Sequence, residues 1–438
     1  MSGGSSDSLA MTGSLPVNTF AQLGLSEALV SAASAQGFAV PTPVQLQAIP
    51  AILQGRDLQA CAQTGSGKTA AFALPLLQKM KLLEQQIQGR KPHLALILVP
   101  TRELAAQVGQ VLRDLAQTQA VSKPVRVAIV FGGVSINPQM MRLRGGADVV
   151  VATPGRLLDL VAHNALSLSD VQTLVLDEAD RLLDLGFADE LNRVLALLPA
   201  QRQTLLFSAT FPPAVQALAA GLLRDPVHID IANTPHTTPA ITQRAIAVDA
   251  AKRTQLLRHL FKTNGWQRVL VFVATKFAAD TVAEKLYKNS IFATPFHGEL
   301  SQGARTQVLA EFKAERWEVV VTTDLASRGI DIAQLPVVIN YDLPRSPTDY
   351  IHRIGRTGRA GEPGLAISFV TADNEAHFAL IEKRNGLALV REQIEGFEPT
   401  DAPIQQAVDV ASVPGTGGIK GKRPSKKDRL RAAAASSD

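Results

Sequence analysis

At 438 residues the chain has the length for two to four domains, each large enough to bury its own core. Its 46% hydrophobic and 19% charged residues, with a mean hydropathy of +0.09, exclude a disordered chain, a fibrous one and a small disulfide-stapled scaffold. The net charge of +5 is unevenly placed: seven of the 44 Lys and Arg lie beyond residue 411 with only two acids, which leaves 37 of each sign in the rest. The sequence pI of 9.3 thus describes a neutral body with a basic appendage. The longest apolar runs, such as 94–99, fall far short of the roughly 20 residues of a membrane-spanning helix. No Lys or Arg precedes Arg56, so neither a secretory signal nor a transit peptide is expected, and the single cysteine, Cys61, fits a reducing compartment. A cytoplasmic protein is the expectation.

Residues 1–17, rich in Ser and Gly, read as a flexible N-terminus. Apolar runs at 94–99, 125–131, 148–152, 173–176 and 204–207 then read as buried parallel strands, with helical spacing between them at 103–117 and 190–198. That alternation predicts an α/β domain over 18–231, its parallel sheet covered by helices on both faces. Residues 232–240, ANTPHTTPA, have two prolines and no apolar period, as expected of a linker. The alternation restarts with strands at 269–273, 318–321, 337–339 and 365–369, giving a second α/β domain over 241–399. From residue 400 the composition turns to Pro, Gly, Lys and Arg, predicting a disordered basic tail.

Nearly every run is followed at once by a polar or Gly-containing cluster: PTRE, FGG, TPGR, DEAD and SAT in the first half, VAT, TTD and YDLP in the second. Strand ends must turn and are polar for that reason alone, but eight clusters of such specific chemistry point to ligand-binding surfaces at the carboxyl ends of two parallel sheets.

AQTGSGKT at 62–69 resembles the phosphate-binding pattern G-x-x-x-x-G-K-S/T, with Ala62 in place of the first Gly. Gly65 and Gly67 let backbone N–H groups turn in on phosphate oxygens, Lys68 reaches the β and γ phosphates, and Thr69 can ligate Mg²⁺. Asp177, emerging from the strand TLVL, suits a Mg²⁺ ligand, and Glu178 beside it suits a residue that orients or deprotonates water. Cys61 reads as a small buried strand residue, and Trp266 and Trp317 as packing residues.

Together with AQTGSGKT, PTRELA, TPGR, SAT and HRIGRTGR (352–359), the DEAD sequence at 177–180 resembles the DEAD-box ATP-dependent RNA helicases. The resemblance covers about residues 18–396, and it implies two tandem RecA-like domains that bind ATP and RNA across their cleft. GFAVPTPVQ at 37–45 looks like the family's Q motif, with Phe20 lying 17 residues before Gly37. On that resemblance Thr42 and Gln45 join the ATP site, Gln45 reading adenine and Phe20 stacking on it. From the residues alone, a buried Phe and a capping Gln are the simpler account. Thr64, Gly65, Ser66, Gly67, Lys68 and Thr69 form the phosphate loop; Thr69 and Asp177 hold Mg²⁺. Lys68, Asp177, Glu178, Arg356 and Arg359 are catalytic, the two arginines as fingers from the second domain, and Asp331 of RGIDI contacts ribose. Asp180, Ser208, Thr210 and His352 couple the ATP site to RNA.

For RNA the resemblance assigns Thr101, Arg102, Gly133, Thr153 and Arg156 in the first domain, and Thr275, Gly298, Gln302, Arg305 and Thr323 in the second. Hydroxyls, glycine amides and single arginines grip phosphate and sugar rather than base edges, so binding without sequence preference follows. The activity implied is RNA-stimulated ATP hydrolysis coupled to local unwinding of short duplexes or remodelling of RNA–protein complexes, with any protein partners among those of RNA decay or ribosome assembly. The short N-terminus, compact core and basic tail resemble the bacterial RhlE-like branch. Two other classes were weighed. The Q motif and the DEAD spelling argue against a DNA-acting relative, and intact Glu178, Arg356 and Arg359 argue against a clamp without turnover.

Overall fold

Alternate residues of the central strands face opposite ways, and both faces are apolar. In β2 (Leu94–Leu98), Ala95 and Ile97 enter one core while Leu94, Leu96 and Leu98 enter another; β4 (Val149–Ala152) divides likewise. A strand apolar on both faces can only be stable with helices on either side, which is the layering a parallel sheet requires. The computed structural model describes residues 19–62, 65–86, 94–117, 125–231, 241–327, 335–358 and 363–400.

The remaining strands of the first sheet are β1 (Leu58–Cys61), β3 (Val127–Val130), β5 (Val171–Leu176), β6 (Gln203–Ser208) and β7 (Val227–Asp230). All pairings are parallel, in the order β3-β4-β2-β5-β6-β1-β7. Its helices are α1 (Glu27–Ala35), α2 (Pro43–Leu53), α3 (Lys68–Gln86), α4 (Arg102–Gln117), α5 (Asn137–Leu143), α6 (Pro154–Ala162), α7 (Ala179–Asp184), α8 (Ala188–Ala196) and α9 (Pro213–Leu222).

The second sheet repeats the plan with β8 (Ile241–Ala247), β9 (Val269–Phe272), β10 (Ala293–Phe296), β11 (Val319–Thr322), β12 (Val337–Asn340), β13 (Gly364–Val370) and β14 (Arg391–Glu392). Its order is β10-β11-β9-β12-β13-β8-β14, again wholly parallel. Helices α10 (Arg253–Asn264), α11 (Lys276–Tyr287), α12 (Gln302–Lys313), α13 (Asp324–Ser327), α14 (Pro347–Ile354) and α15 (Glu375–Asn385) accompany it. The two tandem α/β layers expected from the alternation are therefore present.

Nine strands are expected from the sequence, and fourteen are present among the described residues. Those not expected include both edges of the second sheet, β10 with its internal Pro295 and the two-residue β14, and one edge of the first, β7. Edge strands need fewer apolar residues and tolerate proline, so they leave a weak imprint on sequence. Residue 400, expected to open the tail, is instead anchored: Thr400 donates from N and Oγ1 to the two carboxylate oxygens of Asp249, each at 2.8 Å. The proposed flexible N-terminus, the linker and the rest of the tail lie outside the described residues.

Candidate functional site

Strand order decides which loops can meet. In the first sheet β5, β6 and β1 are consecutive, and their carboxyl ends carry DEAD, SAT and the phosphate loop; β3, β4 and β2 are consecutive, and carry FGG, TPGR and PTRE. The register sets Cys61 beside Ser208, and the Ala62 N–H donates to the Ser208 carbonyl at 2.9 Å, tying the loop to SAT.

Within the loop Gly65 and Gly67 take φ of +84° and +94°, the left-handed region where only glycine is at ease. Lys68 opens α3, buried, with its ammonium on the Ala62 carbonyl at 2.8 Å. The buried Ser66 hydroxyl has no hydrogen-bond partner among the described residues. An orphaned hydroxyl, a buried ammonium and two left-handed glycines at a helix start fit a phosphate chain. Thr69 is half-buried in the first turn of α3.

Gln45 is 2% exposed, and its amide is taken up on both sides: Oε1 accepts from the Thr42 N–H at 2.9 Å, and Nε2 donates to the Gly67 carbonyl at 3.1 Å. It thus caps α2, in a capping box with Thr42, and braces the phosphate loop. Phe20 belongs to the core packed around Leu23, Leu25 and Ile49. The capping amide and the buried ring that the residues alone suggested are thus both present.

Burial pushes the Asp177 carboxyl up to about 6, against the opposing pull of Lys68. Its Oδ1 accepts from the Glu178 N–H at 3.0 Å. Glu178 adopts φ +53°, ψ +52°, a strained conformation for a side chain of its size, at the turn from β5 into α7. Its Oε2 lies 3.1 Å from Arg181 Nη1, and both side chains are at most 5% exposed. Asp180, Ser208 and Thr210 share hydrogen bonds. Asp180 Oδ2 accepts from Thr210 N (3.0 Å) and Oγ1 (2.8 Å), while Ser208 Oγ accepts from the Asp180 N–H and donates to the Thr210 carbonyl at 2.7 Å. His352, on α14 of the second sheet, is near enough to feel this segment. Burial and then the charge of Arg181 push it down to about 4, against Asp180 and Glu178. Arg356 is buried beside it in a small cavity also bordered by Arg181, Asp324, Asp349 and Arg353. Arg353, in the same basic stretch as Arg356, is held by protein groups. It holds Asp324 through two nitrogens at 2.5 and 2.7 Å, reaches Asn340 and the Asp342 carbonyl, and covers the Phe272 ring.

The residues assigned to RNA gather at the other strand ends. A methyl group added to Gly133 (φ +75°) would fall 2.2 Å from the Arg102 guanidinium, so these two are in contact. Thr101 and Thr275 accept from the backbone N–H groups of Leu104 and Ala278 at their helix starts, and Thr153 occupies the same position on α6. A capping hydroxyl that accepts in this way retains its own hydrogen to donate. Arg156 gives Nη2 to the Val134 carbonyl at 2.7 Å and pairs Nε with the Asp159 carboxylate at 3.6 Å, while its buried Nη1 has no hydrogen-bond partner among the described residues. In the second sheet β10, β11 and β9 are consecutive and carry Gly298, Gln302, Thr323 and Thr275 at their carboxyl ends. Gln302 Oε1 is buried without a hydrogen-bond partner among the described residues, Gly298 is exposed, and Thr323 is half-buried.

Arg305 differs from the expectation. It is buried against Phe296, bonds Glu103 of α4 at 2.9 Å, and lies 3.3–3.4 Å from the Ala326 and His297 carbonyls, so it joins the two sheets. Nothing local announces this pair, whose members are 202 residues apart. Arg181, by contrast, stands one helical turn after Glu178, a spacing the sequence does display. Thr64, Asp331 and Arg359 lie outside the described residues. Among the described residues no group of three or more His, Cys, Asp or Glu is placed to hold a metal ion. A cation held by Thr69 and Asp177 would therefore need oxygens from elsewhere, as from a phosphate chain.

The DEAD/DEAH box helicase family model matches residues 42–218, and the helicase conserved C-terminal domain matches 251–361. The chain is 40% identical over 367 residues to the DEAD-box ATP-dependent RNA helicase CshA of Bacillus cereus, covering 84% of this chain and 68% of that one. The chain belongs to the DEAD-box ATP-dependent RNA helicase family. This helicase is also 37% identical over 424 residues to the ATP-dependent rRNA helicase rrp3 of Emericella nidulans, covering 95% and 89% of the two chains. Its structure is similar to Dbp5 of S. cerevisiae bound to RNA and ADP BeF3, with a TM-score of 0.73, 31% identity and coverage of 86% and 95%. It also resembles Mss116p bound to ssRNA and AMP-PNP, with a TM-score of 0.74, 27% identity and coverage of 85% and 78%. The tandem RecA-like fold and ATP-dependent helicase activity follow from this membership. These relatives do not carry the finer RhlE-like assignment. No helix among the described residues is long and apolar enough to cross a membrane.

Proposed function

We propose that this helicase grips single-stranded RNA without reading its sequence, and that it opens short duplexes or remodels RNA–protein complexes in the cytoplasm. In this reading the RecA-like domains span 18–231 and 241–399, and their closure couples RNA to Mg²⁺-dependent ATP hydrolysis. The observation that carries the proposal is the division of each sheet. Three adjacent strands, β3-β4-β2 in one and β10-β11-β9 in the other, end in hydroxyls, glycines and arginine donors, while β5, β6 and β1 end in phosphate-loop and carboxylate chemistry. Three strands of the first sheet thus suit a nucleotide, and three strands in each of the two sheets suit a phosphodiester backbone.

Lys68 and the N–H groups of residues 65–69 would bind the β and γ phosphates, with Thr69 and Asp177 holding Mg²⁺ against them; the cation would neutralise charge on the transferring phosphoryl oxygens. Glu178 would orient the attacking water and take its proton. Arg356 and Arg359 would stabilise the transition state from the second domain, a contribution of about 10³ to 10⁵ in rate for such fingers. Asp180, Ser208, Thr210 and His352 would make this assembly depend on RNA, since hydrogen bonds tie the DEAD segment to SAT and His352 on α14 lies within electrostatic reach of Asp180 and Glu178.

Glu178→Gln tests the reading. The amide still accepts a hydrogen bond from water but cannot take its proton, so ATP affinity should stay near that of the wild type while hydrolysis falls by orders of magnitude. Near wild-type turnover would remove Glu178 from the role.

A further inference from the structure

Arg181 has no part in the functional reading above, yet it touches the residue on which that reading turns. Its guanidinium holds Glu178 Oε2 at 3.1 Å in a pair buried on both sides. The two residues occupy adjacent turns at the start of α7, and Glu178 enters that helix with left-handed backbone angles that aim its side chain away from the course a regular helix would give it. Neither rotamer freedom nor the backbone alone would keep a carboxylate in one orientation at such a turn; a guanidinium on one of its oxygens does. The grip is one-sided. Oε1 has no protein hydrogen-bond partner among the described residues, so one oxygen is fixed and the other is left to accept from a water. Arg181 also borders the cavity that contains His352, Arg356 and Asp349 from the second sheet, and its charge depresses the basicity of His352. The orientation of Glu178 is therefore set by a side chain that itself faces the opposite domain.

We infer that Arg181 is a positioning residue for hydrolysis, fixing the Glu178 carboxylate so that its free oxygen addresses the attacking water. The inference rests on the assignment of Glu178 as the water-activating residue. Arg181 does not touch the substrate in this account, and its effect must pass through Glu178.

The test is a double-mutant cycle on the full-length protein, with RNA-saturated ATP turnover, KM for ATP and RNA affinity measured for Arg181→Gln, Arg181→Lys, Glu178→Gln and the double variant Arg181→Gln with Glu178→Gln. Arg181→Gln should lower kcat about 10- to 100-fold while KM and RNA affinity change less than about threefold, with Arg181→Lys recovering part of the loss. In the Glu178→Gln background Arg181→Gln should cost no further activity, because there is no carboxylate left to position. Equal fractional losses in both backgrounds, or a fall in RNA affinity matching the fall in kcat, would overturn the inference and make Arg181 a structural residue. A thermal melt separates loss of folding from loss of turnover; Arg181→Lys keeps the charge and remains informative if Arg181→Gln unfolds, since wild-type kcat with displaced lysine geometry would also count against the proposal. Glu178→Gln alone separates the two readings: if it turns over at the wild-type rate the water-activating assignment fails, whereas if it collapses and Arg181→Gln does not, only the positioning role fails.

Discussion

Gly67→Ala should weaken nucleotide binding for two separable reasons. The first is the backbone: at φ +94° an L-residue carries a penalty of about 1 kcal/mol that glycine does not. The second is the brace from the Q-motif segment, since the new Cβ would stand 2.5 Å from Gln45 Nε2 and 2.8 Å from Thr42 Oγ1. The amide must swing aside and give up its 3.1 Å bond to the Gly67 carbonyl, a loss of about 1 kcal/mol. Together these come to about 2 kcal/mol, or roughly 30-fold in affinity if the strained loop is the one that binds phosphate. The assay is titration of a fluorescent ATP analogue against wild type, Gly67→Ala, Gln45→Ala and the double variant, with a melt to confirm folding. Once Gln45 is truncated the methyl group meets only the Thr42 hydroxyl, which a rotation about χ1 removes, so Gly67→Ala should then cost only the backbone part, roughly fivefold. An equal loss in both backgrounds would show that the Gln45 contact plays no part, and no loss in either would refute the left-handed requirement as well.

Glu103→Ala should strand Arg305 on two long carbonyl contacts and loosen the junction of the sheets; a loss of about 2 kcal/mol appears as roughly 30-fold weaker ATP-dependent RNA binding with ADP affinity unchanged, read by fluorescence anisotropy. His352 is held neutral down to about 4 amid Arg181, Asp180, Glu178 and Asp349, whereas an unfolded histidine protonates near 6.5. The unfolded chain therefore binds more protons between those values, and this contribution to stability, full above 6.5, is lost as pH falls toward 4; melts across that window should show a shallower acid limb for His352→Gln. Deleting residues 415–438 removes all seven basic side chains beyond residue 411, and each one that meets RNA contributes a slope of about 0.7 in log K against log salt. RNA titrations at several salt concentrations should therefore show a flatter dependence with RNA-saturated turnover unchanged, and identical slopes would refute contact.

What the sequence displayed well was anything dictated by a run of neighbours. Central strands such as VVVA and LALIL are apolar on both faces because they are buried on both faces, and the chemistry following them is polar because it has to leave the sheet. Glycines 65, 67 and 133 were legible for a similar reason, each marking backbone or a close approach that a side chain would obstruct. The edge strands β7, β10 and β14 were not, since a strand with one neighbour satisfies fewer constraints and carries fewer marks. Distant partners were not legible either: no pattern around Glu103 foretells Arg305, and no pattern around Gln45 foretells that its capping amide also reaches the Gly67 carbonyl.

The arginines show why a motif can name residues correctly and still leave their work undivided. Arg353 and Arg356 stand three residues apart in one basic stretch, and from sequence both suit an anion. In the structure Arg353 uses four of its five N–H donors on protein: two bonds to Asp324, one to Asn340 and one to the Asp342 carbonyl, with a ring beneath it. Those partners come from α13, from the end of β12 and from the residues just after it, so Arg353 fastens the end of α14 to the sheet. The chain leaving that helix is pinned in turn, Leu335 donating to the Arg356 carbonyl at 3.1 Å and Thr357 pairing with Leu335 as an isolated bridge. A finger that must meet a developing charge gains nothing from a guanidinium on a loose tether, because the ordering would then have to occur at the moment of reaction. On the proposed role of Arg356 as a finger, Arg353 would do that ordering in advance, one arginine of the stretch fixing the backbone from which the other acts.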